Sequence, residues 1–224
     1  MAPTRSVLSA LVAAALLAAC NLAGARSKPV ALPDPKLDVP ASAGTEVAVF
    51  AGGCFWGVEA VFEHVRGVRD VVSGYAGGSA LTAHYALVGT GRTGHAEAVK
   101  VTYDPSQVSY GQLLKVFFSV AHDPTQLDRQ GPDTGPQYRS EIFTASKAQR
   151  QAAAAYIRQL DAAEVFASPI VTRVEPLDGF HLAEKHHQDY LRLHPDEPYI
   201  VYNDAPKLVN LQRLFPGLYR GGGG

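Results

Sequence analysis

The chain has 224 residues, of which 46% are hydrophobic and 18% are charged, and its formal net charge is -1. This composition is typical of an ordinary globular protein with one domain and some extensions. The near-zero charge and the scattered Lys and Arg residues argue against nucleic-acid binding, and no apolar run reaches the roughly 20 residues that span a bilayer. Nothing in the sequence demands more than a monomer.

The first 19 residues predict an export signal. Arg5 precedes an apolar stretch over 7–19 that closes on Leu17-Ala18-Ala19-Cys20, which gives the charged, apolar and small-residue regions of such a signal. The ending resembles the bacterial lipoprotein signal, in which the cysteine becomes the lipidated first residue; a plain signal peptide cut nearby is the alternative. We therefore expect a signal peptide over 1–19, a flexible tether over 20–45 from lipidated Cys20, and an exported protein anchored to a bacterial membrane in the periplasm or cell envelope.

A glycine-flanked cysteine follows the first predicted strand. Residues 46–50 alternate as a strand, and helical spacing of apolar residues begins after them. Between the two stands Gly52-Gly53-Cys54-Phe55-Trp56-Gly57, which puts Cys54 in the first helical turn. There the free backbone N–H groups and the helix dipole are expected to lower the thiol pKa and favour a reactive thiolate. A small buried residue filling a gap is the alternative, although the glycines, which permit close approach to the backbone, argue against it.

The remaining elements follow in order. Strands are predicted at 68–75, 95–103, 137–144 and 169–176, and helices from Ser109, over 146–160 with a Ser146/Gln149 capping box, and over the polar segment 180–193. Loops fill 76–94 and 122–136, and a Pro-punctuated tail ends the chain. The order strand, helix, strand, strand, helix, strand predicts an α+β fold, a ferredoxin-like split β-α-β sandwich. We expect a mostly antiparallel sheet with helices on one face, an additional helix and strand, and a long C-terminal tail.

The strand at 95–103 carries a carboxylate on its apolar face. The two-residue period puts Glu97 in phase with Val99 and Val101. Burial without a paired cation would raise its pKa and make it a proton donor near neutral pH; a structural salt bridge to an Arg or His is the alternative. Beside the cysteine, Phe55 and Trp56 are either core aromatics or a wall suited to a methyl or thioether-like group.

Six motifs together resemble the A-type peptide methionine sulfoxide reductases. They are Gly52-Gly53-Cys54-Phe55-Trp56-Gly57, Gly74-Tyr75-Ala76-Gly77-Gly78, Gly94-His95-Ala96-Glu97, His122-Asp123-Pro124-Thr125-Gln126, Arg129-Gln130-Gly131-Pro132-Asp133 and Gln137-Tyr138-Arg139-Ser140. The resemblance covers residues 47–219, and it implies a catalytic domain over 46–219 followed by a Gly-rich end at 220–224.

The resemblance also implies a reaction. Cys54, as thiolate, attacks the sulfur of a methionine S-sulfoxide, in oxidised proteins or as the free amino acid, while Glu97 gives a proton to the departing oxygen. Methionine leaves and Cys54 becomes a sulfenic acid, the reversible first step of cysteine oxidation. No bound cofactor is implied.

Five further residues match the family's substrate site. Tyr85 and Tyr138 match tyrosines that hydrogen-bond the sulfoxide oxygen, and Asp133 matches a carboxylate in the same polar cluster. Phe55 and Trp56 match the hydrophobic wall that holds the substrate's methyl group.

Three departures from the family pattern bear on the mechanism. Many members carry further cysteines that form a disulfide with the first, and this chain has none after Cys54. The reductant must therefore be an external thiol, from a thioredoxin- or glutaredoxin-like partner or a small dithiol. Leu81-Thr82-Ala83-His84 precedes Tyr85 where the family usually reads Asn-Pro-Thr, and His186-His187-Gln188 replaces Tyr-His-Gln.

The sequence also permits three alternative interpretations of its function. A cysteine hydrolase or acyl transferase would use Cys54 with His95 as its base. A lipid-anchored binding module would keep Cys54 as a structural residue. A metal site would use His181, His186, His187 and His194, but adjacent histidines on a helix point apart, so exposed helix-face histidines are the simpler expectation.

Overall fold

The computed structural model describes residues 31–221, and its centre is a six-stranded sheet. The strands, in chain order, are β1 (Glu46–Gly52), β2 (Val68–Ala76), β3 (Ala96–Tyr103), β6 (Ser140–Thr144), β7 (Arg173–Pro176) and β8 (Phe180–Leu182), with a two-stranded hairpin of β4 (Arg129–Gln130) and β5 (Asp133–Thr134) before β6. The spatial order is β7-β6-β1-β3-β2-β8. Neighbours are antiparallel except β6 and β7, which are parallel.

Helices and turns connect these strands. The α-helices are α1 (Phe55–Glu63), α2 (Tyr85–Val88), α3 (Tyr110–Val116), α4 (Lys147–Ala162), α5 (Tyr190–Leu193) and α6 (Ala205–Leu214). π-Helical turns at Phe117–Ala121 and Ile200–Asp204 extend α3 and precede α6, and 3₁₀ turns lie at Ala80–Thr82, Pro136–Tyr138 and Lys185–His187. Within residues 31–221, no helix combines the length and apolar character needed to cross a bilayer.

The split β-α-β arrangement is confirmed. Strands β1, β2, β3 and β6 with helices α1 and α3 follow the predicted chain order, and β6-β1-β3-β2 are adjacent in the sheet. The ring of Phe50 on β1 stacks against Phe62 of α1, Tyr110 of α3 and Phe117, with centroids 5.0, 6.2 and 4.9 Å away. Both helices therefore cover the same face of β1, where burial of aromatic surface supplies much of the core energy.

Helix starts follow the sequence signals with one difference. Ser109 forms a full capping box with Gln112 at the start of α3. At α4, the Ser146 hydroxyl accepts from the Gln149 N–H as predicted, but the Gln149 side chain accepts from Ala145 N–H and donates to the Val47 carbonyl. Only half of the predicted box forms, because the glutamine amide ties the helix to β1 instead.

The prediction of a helix over 180–193 is wrong for most of that segment. Residues Phe180–Leu182 form an edge strand paired with β2, and only Tyr190–Leu193 are α-helical. The pairing depends on Gly74, because a Cβ there would lie 2.4 Å from the His181 carbonyl oxygen. The C-terminal segment that was predicted to be an irregular tail contains helix α6.

Part of the segment predicted as a tether packs on the domain. Leu32 is buried, Pro33 accepts a hydrogen bond of 2.8 Å from the Tyr156 hydroxyl, and Asp34 forms an ion pair of 2.8 Å with Lys115. Asp38 accepts from the Gly111 N–H at 2.7 Å, beside the start of α3. Residues 32–38 therefore belong to the packed structure. The predicted signal peptide, Cys20 and the first part of the tether lie outside the described residues.

Candidate active site

Cys54 lies at the junction of β1 and α1. It is the N-cap residue of α1 and is 9% exposed. Gly53 has φ +91°, a conformation that favours glycine, and a Cβ there would lie 2.5 Å from the Gln130 side chain. A Cβ on Gly52 would lie 3.0 Å from Phe117. The glycines thus do allow close approach, but the approaching groups are the protein's own side chains.

The predicted lowering of the Cys54 pKa is wrong for this structure. Burial raises the pKa of the thiol well above its usual value, and the charges of Glu97 and Asp204 raise it further. A hydrogen bond from the Trp56 backbone N–H and the charge of Lys207 oppose this effect without reversing it. The helix N-terminus acts as expected. Removal from water outweighs it, and so do the negative charges that Asp204 and Glu97 carry in the pH range where the thiol would ionise. Cys54 is a thiol near neutral pH.

Glu97 is buried on the helix-covered face of β3, as its phase predicted. It is 2% exposed, and its Oε2 accepts a 3.1 Å hydrogen bond from the Phe55 N–H, the first amide of α1 after Cys54. Burial raises the pKa of Glu97 to about 8, against the lowering effect of that hydrogen bond and with a contribution from Asp133 and Asp204. Among the described residues, none forms an ion pair with Glu97. Glu97 is therefore a proton donor at neutral pH.

Aromatic rings form one wall beside Cys54. Phe55 is 1% exposed, and its ring lies 6.5 Å from that of half-buried Trp56. The Trp56 ring stacks on Tyr190 at 3.7 Å and meets Tyr199 edge-on at 5.8 Å. These contacts fix the orientation of the indole, so the wall is preformed rather than assembled around a ligand.

Two tyrosines and an aspartate share the surroundings of Glu97 and Cys54. Tyr85 begins α2, and its N–H donates to Glu184 at 2.9 Å, while Tyr138 ends the 3₁₀ turn before β6. Burial raises the pKa of both tyrosines, and the charges of Glu97, Asp133 and Cys54 raise them further. Both phenols are therefore protonated donors. The structure brings together all seven residues that the sequence assigned to the site.

The C-terminal segment supplies site residues that sequence reasoning missed. The Tyr199 hydroxyl donates to Asp133 in a short hydrogen bond, and Asp204 is 1% exposed beside α1. A Cβ on Gly57 would lie 2.0 Å from Asp204 Oδ1, so this glycine is what admits the carboxylate. Lys207 Nζ lies 3.0 Å from the same oxygen. Asp204-Ala205-Pro206 is a helix-start signal that could have placed Asp204.

His187 was also missed as a site residue. It is 3% exposed rather than on an exposed helix face, and its Nδ1 accepts from Trp56 Nε1 at 3.3 Å. Its ring lies 4.2 Å from that of Tyr85, whereas neighbouring His186 is exposed. Burial lowers the pKa of His187, so the ring is neutral and orients the indole. Within residues 31–221, no three His, Cys, Asp or Glu side chains form a metal-binding group.

His95 is engaged away from Cys54. Its Nε2 donates to the Ser79 carbonyl oxygen at 2.9 Å, and its ring contacts those of Tyr75 and His181 at 6.1 and 5.6 Å. Burial lowers its pKa. The arrangement does not offer the base that a cysteine hydrolase needs.

A cavity of about 550 Å³ opens beside Cys54. Asp133, Tyr199, Asp204 and Lys207 contribute to its lining together with residues of the segments 118–132 and 165–167. The aromatic wall residues Phe55 and Trp56, and Glu97, do not line it. Cys54 therefore lies between this cavity on one side and Glu97 with the aromatic wall on the other.

The comparisons with known proteins agree with this geometry. The family model described as "Peptide methionine sulfoxide reductase" matches residues 46–216. "Peptide methionine sulfoxide reductase MsrA 2" of Mesorhizobium japonicum is 60% identical over 183 residues, which cover 82% of this chain and 94% of the relative.

Two solved structures share the fold. The reduced form of Mxr1 from Saccharomyces cerevisiae matches with a TM-score of 0.63 and 32% identity, covering 72% of this chain and 92% of that one. Methionine sulfoxide reductase A of Corynebacterium diphtheriae matches with a TM-score of 0.59 and 36% identity, covering 76% and 90%. With a matching family model, close relatives and a site of the expected composition, this chain belongs to the A-type peptide methionine sulfoxide reductase family.

Proposed function

We propose that this protein reduces methionine S-sulfoxide, in oxidised proteins and as the free amino acid, to methionine. The observation that carries the proposal is a buried carboxyl group without an ion-pair partner among the described residues, next to a buried cysteine. Glu97 binds the first amide of the helix that Cys54 caps, and its pKa of about 8 keeps it protonated at pH 7. A sulfoxide oxygen needs such a donor, because breaking the sulfur–oxygen bond leaves negative charge on that oxygen.

The atoms balance with these two residues. Cys54 Sγ attacks the sulfoxide sulfur while Glu97 gives its proton to the oxygen, and the Glu97 carboxylate takes the proton that the Cys54 thiol releases. This leaves a hydroxyl group and Cys54 Sγ both bonded to the substrate sulfur. The hydroxyl group then bonds to Cys54 Sγ as its bond to the substrate sulfur and the new sulfur–sulfur bond break, so Cys54 becomes a sulfenic acid and the substrate leaves as a thioether. The resting thiol is therefore activated by the event that ionises Glu97, since a neighbouring carboxylate that has just lost its proton is a base.

The surrounding residues position the substrate. The Tyr85 and Tyr138 hydroxyls donate to the sulfoxide oxygen, and Asp133, held by Tyr199, completes the polar side. Phe55 and Trp56 hold the methyl group, because apolar rings favour a sulfur-bound methyl over water. With oxygen and methyl assigned to opposite sides, only one sulfoxide epimer presents its sulfur to Cys54.

The reducing equivalents come from outside the chain. The sequence has two cysteines, and the described residues include only Cys54, which is free. A thioredoxin- or glutaredoxin-like protein or a small thiol attacks the sulfenic acid directly.

The cell envelope is the proposed location. The lipoprotein-type ending at Leu17-Ala18-Ala19-Cys20 supports export, cleavage before Cys20 and lipid attachment. Metabolic labelling with a fatty-acid analogue tests this, and loss of label in Cys20→Ala is the expected result. Label retained by Cys20→Ala would contradict it.

Stereospecific turnover tests the activity. The full chain is incubated with separated S and R epimers of methionine sulfoxide and a dithiol, with Cys54→Ser as control. The S epimer is converted to methionine and the R epimer is not, and Cys54→Ser converts neither. Loss of the R epimer, acyl-enzyme formation with an ester, or unchanged function in Cys54→Ser would each contradict the proposal.

A further inference from the structure

We infer that the 550 Å³ cavity beside Cys54 is the binding site for a small uncharged or cationic thiol that reduces the oxidised cysteine. The inference rests on the proposed function, because it concerns the second half of the same cycle. A cavity of this volume lies within the range of ligand sites, about 300–1,000 Å³. It therefore has room for a thiol of a few heavy atoms and for water.

The two reactions at Cys54 need two directions of approach. The sulfoxide oxygen arrives from the side of Glu97, Tyr85 and Tyr138, none of which lines the cavity. A thiol attacks a sulfenic sulfur opposite the oxygen that leaves, so it cannot enter through the position that the oxygen occupies. The cavity offers Cys54 a separate route, and Asp133 is the one predicted substrate-site residue common to both sides.

The resolving chemistry balances on this route. The thiol sulfur bonds to Cys54 Sγ as the sulfur–oxygen bond breaks, the oxygen leaves as water with the proton that the thiol loses, and a mixed disulfide results. A second thiol then attacks the disulfide, which releases the Cys54 thiol and an oxidised reductant. Two thiols are oxidised to one disulfide for each sulfenic acid reduced.

The charge of the lining selects among thiols. Asp123, Asp133 and Asp204 face the cavity, and Lys207 is the one lysine or arginine among its lining residues. His122 also lines it, but burial lowers its pKa to about 4, so it is neutral. Acidic surroundings lower the local concentration of anions and raise that of cations.

Asp204 is the clearest sign of a ligand site. It is 1% exposed and lines the cavity, and within residues 31–221 neither carboxylate oxygen has a hydrogen-bond partner. Lys207 Nζ forms an ion pair of 3.0 Å with Oδ1, which balances the charge but leaves both oxygens without a hydrogen bond. A buried carboxylate left without hydrogen bonds is unfavourable by itself. A ligand with an O–H or N–H donor, such as a hydroxyl- or amine-bearing thiol, would satisfy it.

Single-turnover kinetics separate the two half-reactions. The full chain is first mixed with one equivalent of S-sulfoxide without thiol, and the methionine released is counted. The sulfenic acid is then reduced by cysteamine, 2-mercaptoethanol or 2-mercaptoethanesulfonate, which share a two-carbon skeleton and differ in charge. Each rate constant is first corrected for the fraction of that thiol present as thiolate. It is then divided by the rate constant of the same thiol with an uncharged disulfide, which removes differences in nucleophilicity between the thiols.

Two positions on the lining test the cavity. Asn210 lies on α6 and Ala167 at the exposed rim. Asn210→Trp and Ala167→Trp fill the space, and Asn210→Lys changes its charge. Val209→Trp is the matched control, since Val209 is 64% exposed on the same helix and does not line this cavity.

We expect the sulfonate to be slower than the other two thiols by about tenfold. Asn210→Lys should raise the sulfonate rate several-fold, and both filling variants should slow all three thiols while the first methionine equivalent and the Val209→Trp rates stay unchanged. Equal normalised rates for the three thiols, or filling variants reduced as fast as the unmodified chain, would overturn the inference. Absence of the methionine equivalent would instead overturn the proposed function.

Discussion

The substitution Glu97→Gln tests two consequences of burying this carboxyl group: its role as the acid in catalysis and its effect on how stability depends on pH. The glutamine keeps an oxygen that can accept the 3.1 Å bond from Phe55 N–H, but it has no acidic proton. General acid catalysis typically contributes about 10²- to 10⁴-fold. The rate of methionine release in a single turnover should therefore fall by about that factor, with the Cys54 thiol still present and countable.

The same substitution should change how stability depends on pH. Because burial raises the Glu97 pKa from 4.5 to about 8, the folded chain holds its proton more tightly than the unfolded chain between those values. The contribution of Glu97 to the free energy of unfolding is therefore full below pH 4.5, falls as the pH rises, and is lost above about 8. At 1.36 kcal/mol per pKa unit, the fall amounts to at most about 5 kcal/mol.

The assay is urea unfolding at intervals from pH 5 to 9 for the unmodified chain and two variants. Glu59→Gln is the matched control, because burial raises the pKa of Glu59 to about 8 as well and its oxygens accept from Ser73 and Asp189 amides. Each variant should flatten part of the pH dependence, and only Glu97→Gln should slow methionine release. Unchanged methionine release in Glu97→Gln, or an unfolding free energy that rises with pH more steeply in the unmodified chain than in Glu97→Gln, would refute the reasoning.

Three further predictions follow from single contacts. Alkylation of resting Cys54 by uncharged iodoacetamide should be slow at pH 7 and still rising at about pH 9, because the thiolate is the reactive form and its pKa is raised; a plateau below pH 8 would contradict this. Gly57→Ala places a Cβ 2.0 Å from Asp204 Oδ1 and should lower the free energy of unfolding by about 1–3 kcal/mol in denaturant titrations, whereas an ordinary helix position would gain stability. Arg139→Met breaks the buried 2.6 Å pair with Glu141 and should destabilise the chain by about 3–5 kcal/mol in the same titrations, with much of the loss recovered in the Arg139→Met/Glu141→Leu double variant.

Features of the site that depend on neighbouring residues are predicted from the sequence better than features that depend on residues far along the chain. The strand period was sufficient to place Glu97 among the core residues, because phase along a strand is set by the chain itself. The predicted lowering of the Cys54 pKa is wrong because that pKa depends on distant parts of the chain. It is set by the depth of burial and by charges such as that of Asp204, 150 residues away. The sequence pattern does not predict the edge strand Phe180–Leu182, because three residues show no clear period and the pairing depends on Gly74.

The raised pKa of Cys54 and the raised pKa of Glu97 have common causes, burial and the negative charge of Asp204. An environment that disfavours negative charge weakens the resting nucleophile and, equally, holds the proton on the acid. Both effects end in the same step, because a sulfoxide oxygen that takes the Glu97 proton leaves a carboxylate. That carboxylate can then take the proton of the Cys54 thiol. Removing Asp204 charge would therefore make the cysteine more nucleophilic at rest while making Glu97 a stronger acid, less often protonated at pH 7. The site is thus built to ionise Cys54 when a sulfoxide is present, and a buried thiol without substrate is correspondingly less exposed to oxidation.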